Sequence, residues 1–106
     1  MVNCTCVVQE GQAPDLARGE IHNLLNEFAS AAFGQPAQIA WVPVAPGNGF
    51  TAGKASTSSV VSFTANEPLE RERREKLLRE LVAVWTGETG CTADEIVAVI
   101  ADPANH

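Results

Sequence analysis

An internal repeat constrains this chain more than any other feature of its sequence. Residues 34–46, GQPAQIAWVPVAP, and residues 90–103, GCTADEIVAVIADP, share the order glycine, short polar turn, β-branched run and proline. The same offset of about 56 residues carries the opening apolar run, residues 2–8, onto residues 58–64. Self-similarity of this kind indicates a repeated supersecondary unit. The chain is therefore predicted to contain two copies of strand–helix–strand.

One helix is predicted in each half. The first begins near Pro14, because proline suits the first helical position, and ends at Gly34, which can adopt the left-handed conformation that stops a helix. The second begins near Pro68 and ends by Gly87 or Gly90. Apolar residues recur at helical spacing along one side of each segment. They are Ile21, Leu24, Leu25, Phe28 and Ala32 in the first helix, and Leu77, Leu78, Leu81, Val84 and Trp85 in the second.

The second helix carries a run of charges. Residues 67–80 contain five acidic and five basic side chains, so the run predicts a solvated face and not a basic surface for nucleic acid. Three of its acid–base pairs have the i,i+4 spacing and the order that stabilise a helix. They are Glu70–Arg74, Glu72–Lys76 and Glu75–Arg79.

Four strands are predicted, at Val2–Gln9, Ile39–Val44, Ser59–Thr64 and Ile96–Ala101. A right-handed crossover makes the two strands of each half parallel. Two such units give an α+β fold, in which a four-stranded mixed sheet carries both helices on one face. Pro43 has no N–H to donate, so the second strand is expected at a sheet edge or with a bulge.

The other face of the sheet is expected to be open. In the first strand the even positions are apolar and the odd positions mostly polar, the pattern of a strand half buried under helices. Val7, Trp41 and Phe63 are predicted to give the open face a partly apolar surface. A surface of that kind on so small a protein favours self-association.

Length and composition favour one globular domain over residues 1–106, with repeat halves at about 2–45 and 58–103. Apolar residues make up 45% of the chain and charged residues 19%. Thirteen acidic residues against seven basic ones give a net charge of −6. Phosphate-bearing surfaces repel such a protein, so neither nucleic acid nor a membrane is an expected partner.

Targeting segments and cofactor sites are not predicted. No run approaches the ~20 apolar residues that cross a bilayer, and Met1–Glu10 lacks the basic start of a signal peptide. The three cysteines are an odd number and favour free thiols in a reducing compartment. Cys4 and Cys6 with His22 and His106 do not have metal-ligand spacing. We expect a cytoplasmic protein without a cofactor or metal.

The chain resembles the tautomerase superfamily, which includes oxalocrotonate tautomerase, malonate semialdehyde decarboxylase and macrophage migration inhibitory factor. Glu10-Gly11 follows the first strand directly, and Phe33-Gly34 with Pro36 precedes the second. Residues 47–53, GNGFTAG, resemble the family's aromatic and glycine-rich turn, and residues 96–103 resemble its last strand. The resemblance implies a homotrimer with pockets at the subunit junctions.

The same resemblance implies a departure from the family's chemistry. The family uses the secondary amine of an amino-terminal proline, and that position is Val2 here. While Met1 is retained, the Val2 nitrogen is an amide and not a base near neutral pH. The family's carboxylate-binding arginines fall on Gln12 and on or beside Ala40. Without a guanidinium fork the usual acidic substrates lose their partner.

The remaining candidates for a site are few. Lys54, in the long segment 46–58, is a candidate catalytic group or anion contact, and Gln12 is a second catalytic candidate. Trp41 and Phe50 are candidates for an apolar substrate-binding wall, with Asn3 as a hydrogen-bonding partner.

Two hypotheses of function follow. The first is a diverged tautomerase-like small-molecule isomerase that works without the proline mechanism. The alternative is a non-catalytic ligand-binding or assembly subunit of the same fold, which partners itself or a proline-bearing relative. For the fold, the alternative is a ferredoxin-like or dimeric α/β-barrel domain with the same element order.

Overall fold

The computed structural model describes residues 1–12 and 15–103, without the side chains of residues 15–18. It contains a four-stranded sheet, a two-stranded hairpin and two long helices. The elements in chain order are β1 (Val2–Gln9), α1 (Asp15–Phe33), β2 (Ala37–Val44), β3 (Phe50–Thr51), β4 (Lys54–Ala55), β5 (Ser59–Thr64), α2 (Arg71–Thr89), a 3₁₀ turn (Ala93–Glu95) and β6 (Ile96–Ala101). The predicted start of α1 at Pro14 lies outside the described residues.

The main sheet has the strand order β2-β1-β5-β6. The pairs β1–β2 and β5–β6 are parallel, as expected for the two strand–helix–strand units, and the central pair β1–β5 is antiparallel. The predicted mixed sheet with both helices on one face is confirmed. Pro43 lies on the edge strand β2, where its missing N–H costs no hydrogen bond to a further strand of this sheet.

Alternation along β1 decides where the core lies. Val2, Cys4, Cys6 and Val8 are almost fully buried, whereas the residues between them face the other way. The predicted apolar sides of the two helices pack against this face. Their buried residues include Ile21, Leu25, Phe28, Leu77, Leu81 and Trp85. Phe28, Phe33 and Phe63 form a ring cluster with centroids 5.4–6.3 Å apart. Burial of such side chains contributes about 1.5–3 kcal/mol each.

Trp41 and Phe63 do not lie on the open face, so that part of the prediction is wrong. Phe63 is fully buried, and Trp41 is paired in register with Cys6, which places both on the side of the helices. The rule of alternating side chains assigns only Val7 of the three to the open face. The large apolar residues exposed on that face are Val42, Val97 and Val99.

The start of α2 is set by a tertiary contact. The helix begins at Arg71 and not near Pro68, because Leu69 donates its backbone N–H to the Asp102 carboxylate (3.1 Å) and holds the preceding chain extended. Arg74 donates to the same carboxylate at 2.6 Å and to the carbonyl of Ile100 at 2.9 Å. The Leu69 N–H first, and the nearby guanidinium second, lower the pKa of Asp102.

The three predicted i,i+4 ion pairs of α2 do not form. Arg74 binds Asp102 instead of Glu70, and Glu75 accepts from Arg71 at 3.1 Å instead of from Arg79. Arg74 is also bound to backbone carbonyls, so it ties α2 to the end of β6. An exposed i,i+4 helical pair contributes only about 0.3–0.5 kcal/mol, so such spacing alone does not hold Arg74 to Glu70.

The segment predicted as a long flexible connection contains the hairpin β3–β4. Ala52 and Gly53 both have positive φ (53° and 76°), as the tight two-residue turn requires. The backbone N–H of Ser56 donates to the carbonyl of Gly49 at 2.7 Å and closes the base of the hairpin.

None of the helices that the structure describes is long and apolar enough to span a bilayer.

The cysteines are expected to differ in reactivity. Cys4 and Cys6 lie on the buried face with their sulfurs 3.8 Å apart, and their mutual hydrogen bond, followed by burial, raises the pKa of the Cys4 thiol. Cys91 is half-buried.

Titration of the folded protein with a disulfide reagent should therefore modify one thiol rapidly, and Cys91→Ser should remove that phase. In urea all three thiols should react. Rapid reaction of Cys4 or Cys6 in the folded state would contradict the buried assignment.

Candidate functional site

Apart from Trp41 in the middle of β2, the site residues predicted from the sequence lie at two opposite ends of the sheet. Val2 and Asn3 begin β1, whereas Gln12, Phe50 and Lys54 lie beyond its other end. Six residue steps of about 3.3 Å separate Asn3 from Gln9, so the two groups are about 20 Å apart along the strand. Within one subunit the structure does not bring them into one site.

At the amino end of β1, the Val2 nitrogen is a backbone amide. It donates a hydrogen bond to the carbonyl of Pro36 at 3.1 Å, and the Val2 side chain is 3% exposed. Met1, 77% exposed, precedes it. Asn3 is exposed on the open face and pairs in register with Gln38 and Thr64. The Val2 nitrogen is therefore a hydrogen-bonded amide and not a base.

Gln12 has a structural position that its sequence did not reveal. Its side-chain oxygen Oε1 accepts from the indole Nε1 of Trp85 at 2.9 Å. Its Nε2 donates to the carbonyl of Thr57 at 2.7 Å and to that of Glu95 at 3.0 Å. All the donors of this carboxamide are used, so Gln12 joins the β1–α1 turn to α2, to the segment after the hairpin and to the 3₁₀ turn.

Trp41 packs inward. Its ring lies 6.3 Å from that of Trp85, centroid to centroid, at an interplanar angle of 31°. It is half-buried beside the core, so only part of its surface is open to a ligand.

The hairpin β3–β4 presents Phe50 and Lys54 to solvent. Phe50 is 68% exposed, and the side chain of the exposed Lys54 forms no hydrogen bond or ion pair with the described residues. Phe50 pairs in register with Ala55, and Thr51 with Lys54, so both side chains lie on the same short hairpin. Both side chains are therefore available for contacts outside their own subunit.

Sequence reasoning missed a cleft of about 470 Å³ at the carboxyl end of β1. It lies between the β1–α1 turn, the segments on both sides of the hairpin, and the junction of α2 with the 3₁₀ turn. Its lining residues are Gln9, Glu10, Gly11, Gln12, Pro46, Gly47, Ala55, Ser56, Thr57, Thr89, Gly90, Cys91 and Glu95. The available signal was the pair of turn glycines Gly11 and Gly90, which have φ of 92° and 75°.

Glu95 is a fixed anion at the wall of this cleft. Its Oε1 accepts from the backbone N–H of Thr92 at 3.0 Å and from the Thr92 hydroxyl at 3.3 Å, in a capping box. The Thr92 N–H, together with hydrogen bonding from Thr57, lowers the pKa of Glu95. The carboxylate is therefore ionised near neutral pH.

Comparison with solved structures identifies the fold. Native Ps01740 superposes with a TM-score of 0.86 at 22% identity, over 96% of this chain and 95% of that one. The Q0 fused 4-OT wild-type symmetric trimer gives 0.83 at 15% identity, over 95% and 85%. Macrophage migration inhibitory factor from Oncomelania hupensis gives 0.71 at 15%, over 98% and 74%.

These matches show that the chain has the fold of the tautomerase superfamily, as its sequence predicted. No protein-family model matches the sequence, and no curated protein matches it.

Replacing Gln12 tests its structural position. Gln12→Ala removes three hydrogen bonds and leaves the buried Trp85 indole N–H without its acceptor. We expect a loss of about 2–3 kcal/mol in the free energy of unfolding, measured by urea denaturation. The control Asn23→Ala alters an exposed polar residue of α1 and should change stability by less than about 0.5 kcal/mol. Equal effects of the two variants would show that the Gln12 contacts contribute little.

Proposed function

We propose that this protein is a self-associating, tautomerase-fold isomerase of small neutral molecules that works without the amino-terminal proline mechanism. The site is completed between subunits. The observation that carries the proposal is the separation of Asn3 from Phe50 and Lys54 by the length of β1, together with the exposure of the hairpin. Each subunit then presents two incomplete halves of a site.

The open face of the sheet supports the association. Val42, Val97 and Val99 are 44%, 49% and 37% exposed on it, and these apolar side chains gain from burial against another copy. One similar solved structure, the fused 4-OT, is a symmetric trimer. By analogy we propose a homotrimer for this chain.

The proposed reaction is an enol–keto tautomerisation, which needs no cofactor: solvent water takes the proton of the enol hydroxyl and delivers a proton to the substrate carbon, so no net proton is gained or lost. The exposed Lys54 ammonium provides the positive charge that stabilises an enolate oxygen. Phe50 provides an apolar wall, and Asn3 of a neighbouring subunit is proposed to donate a hydrogen bond to the substrate. Gln12 is a positioning residue, because its Nε2 donates to the carbonyl of Thr57 and fixes the segment at the base of the hairpin.

A second candidate, the non-catalytic binding or assembly subunit, is favoured by two contacts. The Val2 amide is engaged with the Pro36 carbonyl, and the Gln12 carboxamide is saturated. Two positions that carry the chemistry in the resembling family are thus occupied by structural hydrogen bonds.

The assembly is tested by mass in solution. Sedimentation equilibrium should give three times the chain mass of 11.2 kDa. The double variant Val97→Lys/Val99→Lys places two charges on the open face and should shift the mass toward that of one chain, since burial of unpaired charge is costly. The control Ala83→Lys adds a charge to the exposed side of α2 and should leave the mass unchanged. A monomeric wild-type protein would refute the association.

Catalysis is tested by turnover of a panel of neutral enols. Lys54→Ala should lower kcat/KM by about 10²-fold or more, the usual effect of removing one stabilising charge or donor. Lys76→Ala, which removes an exposed lysine of α2, is the control and should leave it unchanged. The variant Val2→Pro with Met1 removed restores a secondary amine. Activity in that variant alone, with an inactive wild type, would establish the second candidate instead.

A further inference from the structure

We propose that the cleft at the carboxyl end of β1 binds a small organic cation, a primary ammonium or guanidinium compound with a short apolar body. The cleft is formed within one subunit and does not contain Asn3, Phe50 or Lys54, although Gln12 and Thr57 line it. Its tests measure ligand binding and change neither Gln12 nor Thr57, so the proposal can fail while the isomerase site stands, and the reverse.

The side chain of Gln9 gives the first reason to expect a ligand. Gln9 is 9% exposed, and its backbone N–H donates to the Ser59 hydroxyl at 3.2 Å. Gln9 lines the cleft, and its carboxamide has no hydrogen-bond partner among the described residues. No side-chain nitrogen or oxygen among these residues is both fully enclosed and unsatisfied, so this amide keeps some contact with solvent. It is therefore available to hydrogen-bond a ligand in place of water.

The segment before the hairpin packs closely on this side chain. A Cβ at Gly49 would lie 2.8 Å from Nε2 of Gln9, so a larger residue at position 49 would require the Gln9 side chain to move. Gly49 does not have a positive φ, so its backbone conformation does not itself require glycine.

Charge decides the class of ligand. Glu10 and Glu95 line the cleft, and no lysine, arginine or histidine is among the described residues that do so. Glu95 is held ionised by Thr92, and the Gln9 amide oxygen adds a neutral acceptor. An acceptor-rich, negatively charged pocket attracts a cationic donor and repels a carboxylate.

The size and lining of the cleft fit a small organic molecule better than a bare metal ion. No group of three or more metal-ligating side chains occurs among the described residues. The volume of about 470 Å³ is that of a small-molecule site. Pro46, Ala55 and Cys91 provide apolar contact for a short aliphatic body beside the charged end.

Three four-carbon probes test the proposal with the full-length protein: butylammonium, butyramide and butyrate. Titrations followed by ¹H–¹⁵N correlation spectra should show saturable shifts at Gly11 and Gly90 for butylammonium, with affinity at least ~10-fold above that for butyrate. Butyramide should bind with intermediate affinity, through the Gln9 amide alone. Binding of butyrate as tightly as butylammonium, or shifts elsewhere on the protein only, would overturn the proposal.

A matched pair of variants separates the site from the general acidity of the protein. Glu10→Gln removes one exposed charge at the cleft, and Glu27→Gln removes one exposed charge on α1 outside it. Glu10→Gln should weaken butylammonium binding about fivefold, and Glu27→Gln should leave it within about twofold. Equal weakening by the two variants would mean that net charge, and not the cleft, attracts the cation. The melting temperatures of both variants check that folding is intact.

Discussion

The antiparallel pairing of β1 with β5 is the constraint on which the structure depends. It joins the two parallel units into one sheet and places Cys4 against Phe63 and Cys6 against Val61. Because paired residues share a face, this register puts the buried side chains of both halves under both helices. A shift by one residue would expose Phe63 and bury Ser62 instead. The core and the open face are therefore set by a single register.

The second organising contact is the carboxamide of Gln12. It lies at the end of β1 and reaches Trp85 in α2, Thr57 after the hairpin and Glu95 before β6. Gln12 is neutral and its side chain is bound inward. Glu10 and Glu95 have no facing cation among the described lining residues, which gives the cleft its negative character.

The fold was largely predictable from the sequence, since its signals are local. Alternation and turn residues gave the bounds of β1, β5 and β6, and Gly34 and Gly90 gave the ends of the helices. The face of Trp41 was not predictable, because apolar residues occupy both sides of β2 and only the register with β1 decides. The start of α2 depends on Asp102, about 30 residues away in sequence. Four separate segments line the cleft, so no short sequence motif predicts it.

The seam between β1 and β5 also bears on how such a chain arose. Its two halves have the same element order and meet through antiparallel strands, the arrangement that a two-fold axis produces. A half-length ancestor pairing with its own copy would generate the same sheet, and gene duplication with fusion would then free each copy to change separately. In the present chain the two halves differ beyond their last strands: a hairpin follows β2, and the Arg74–Asp102 contact lies at the end of β6.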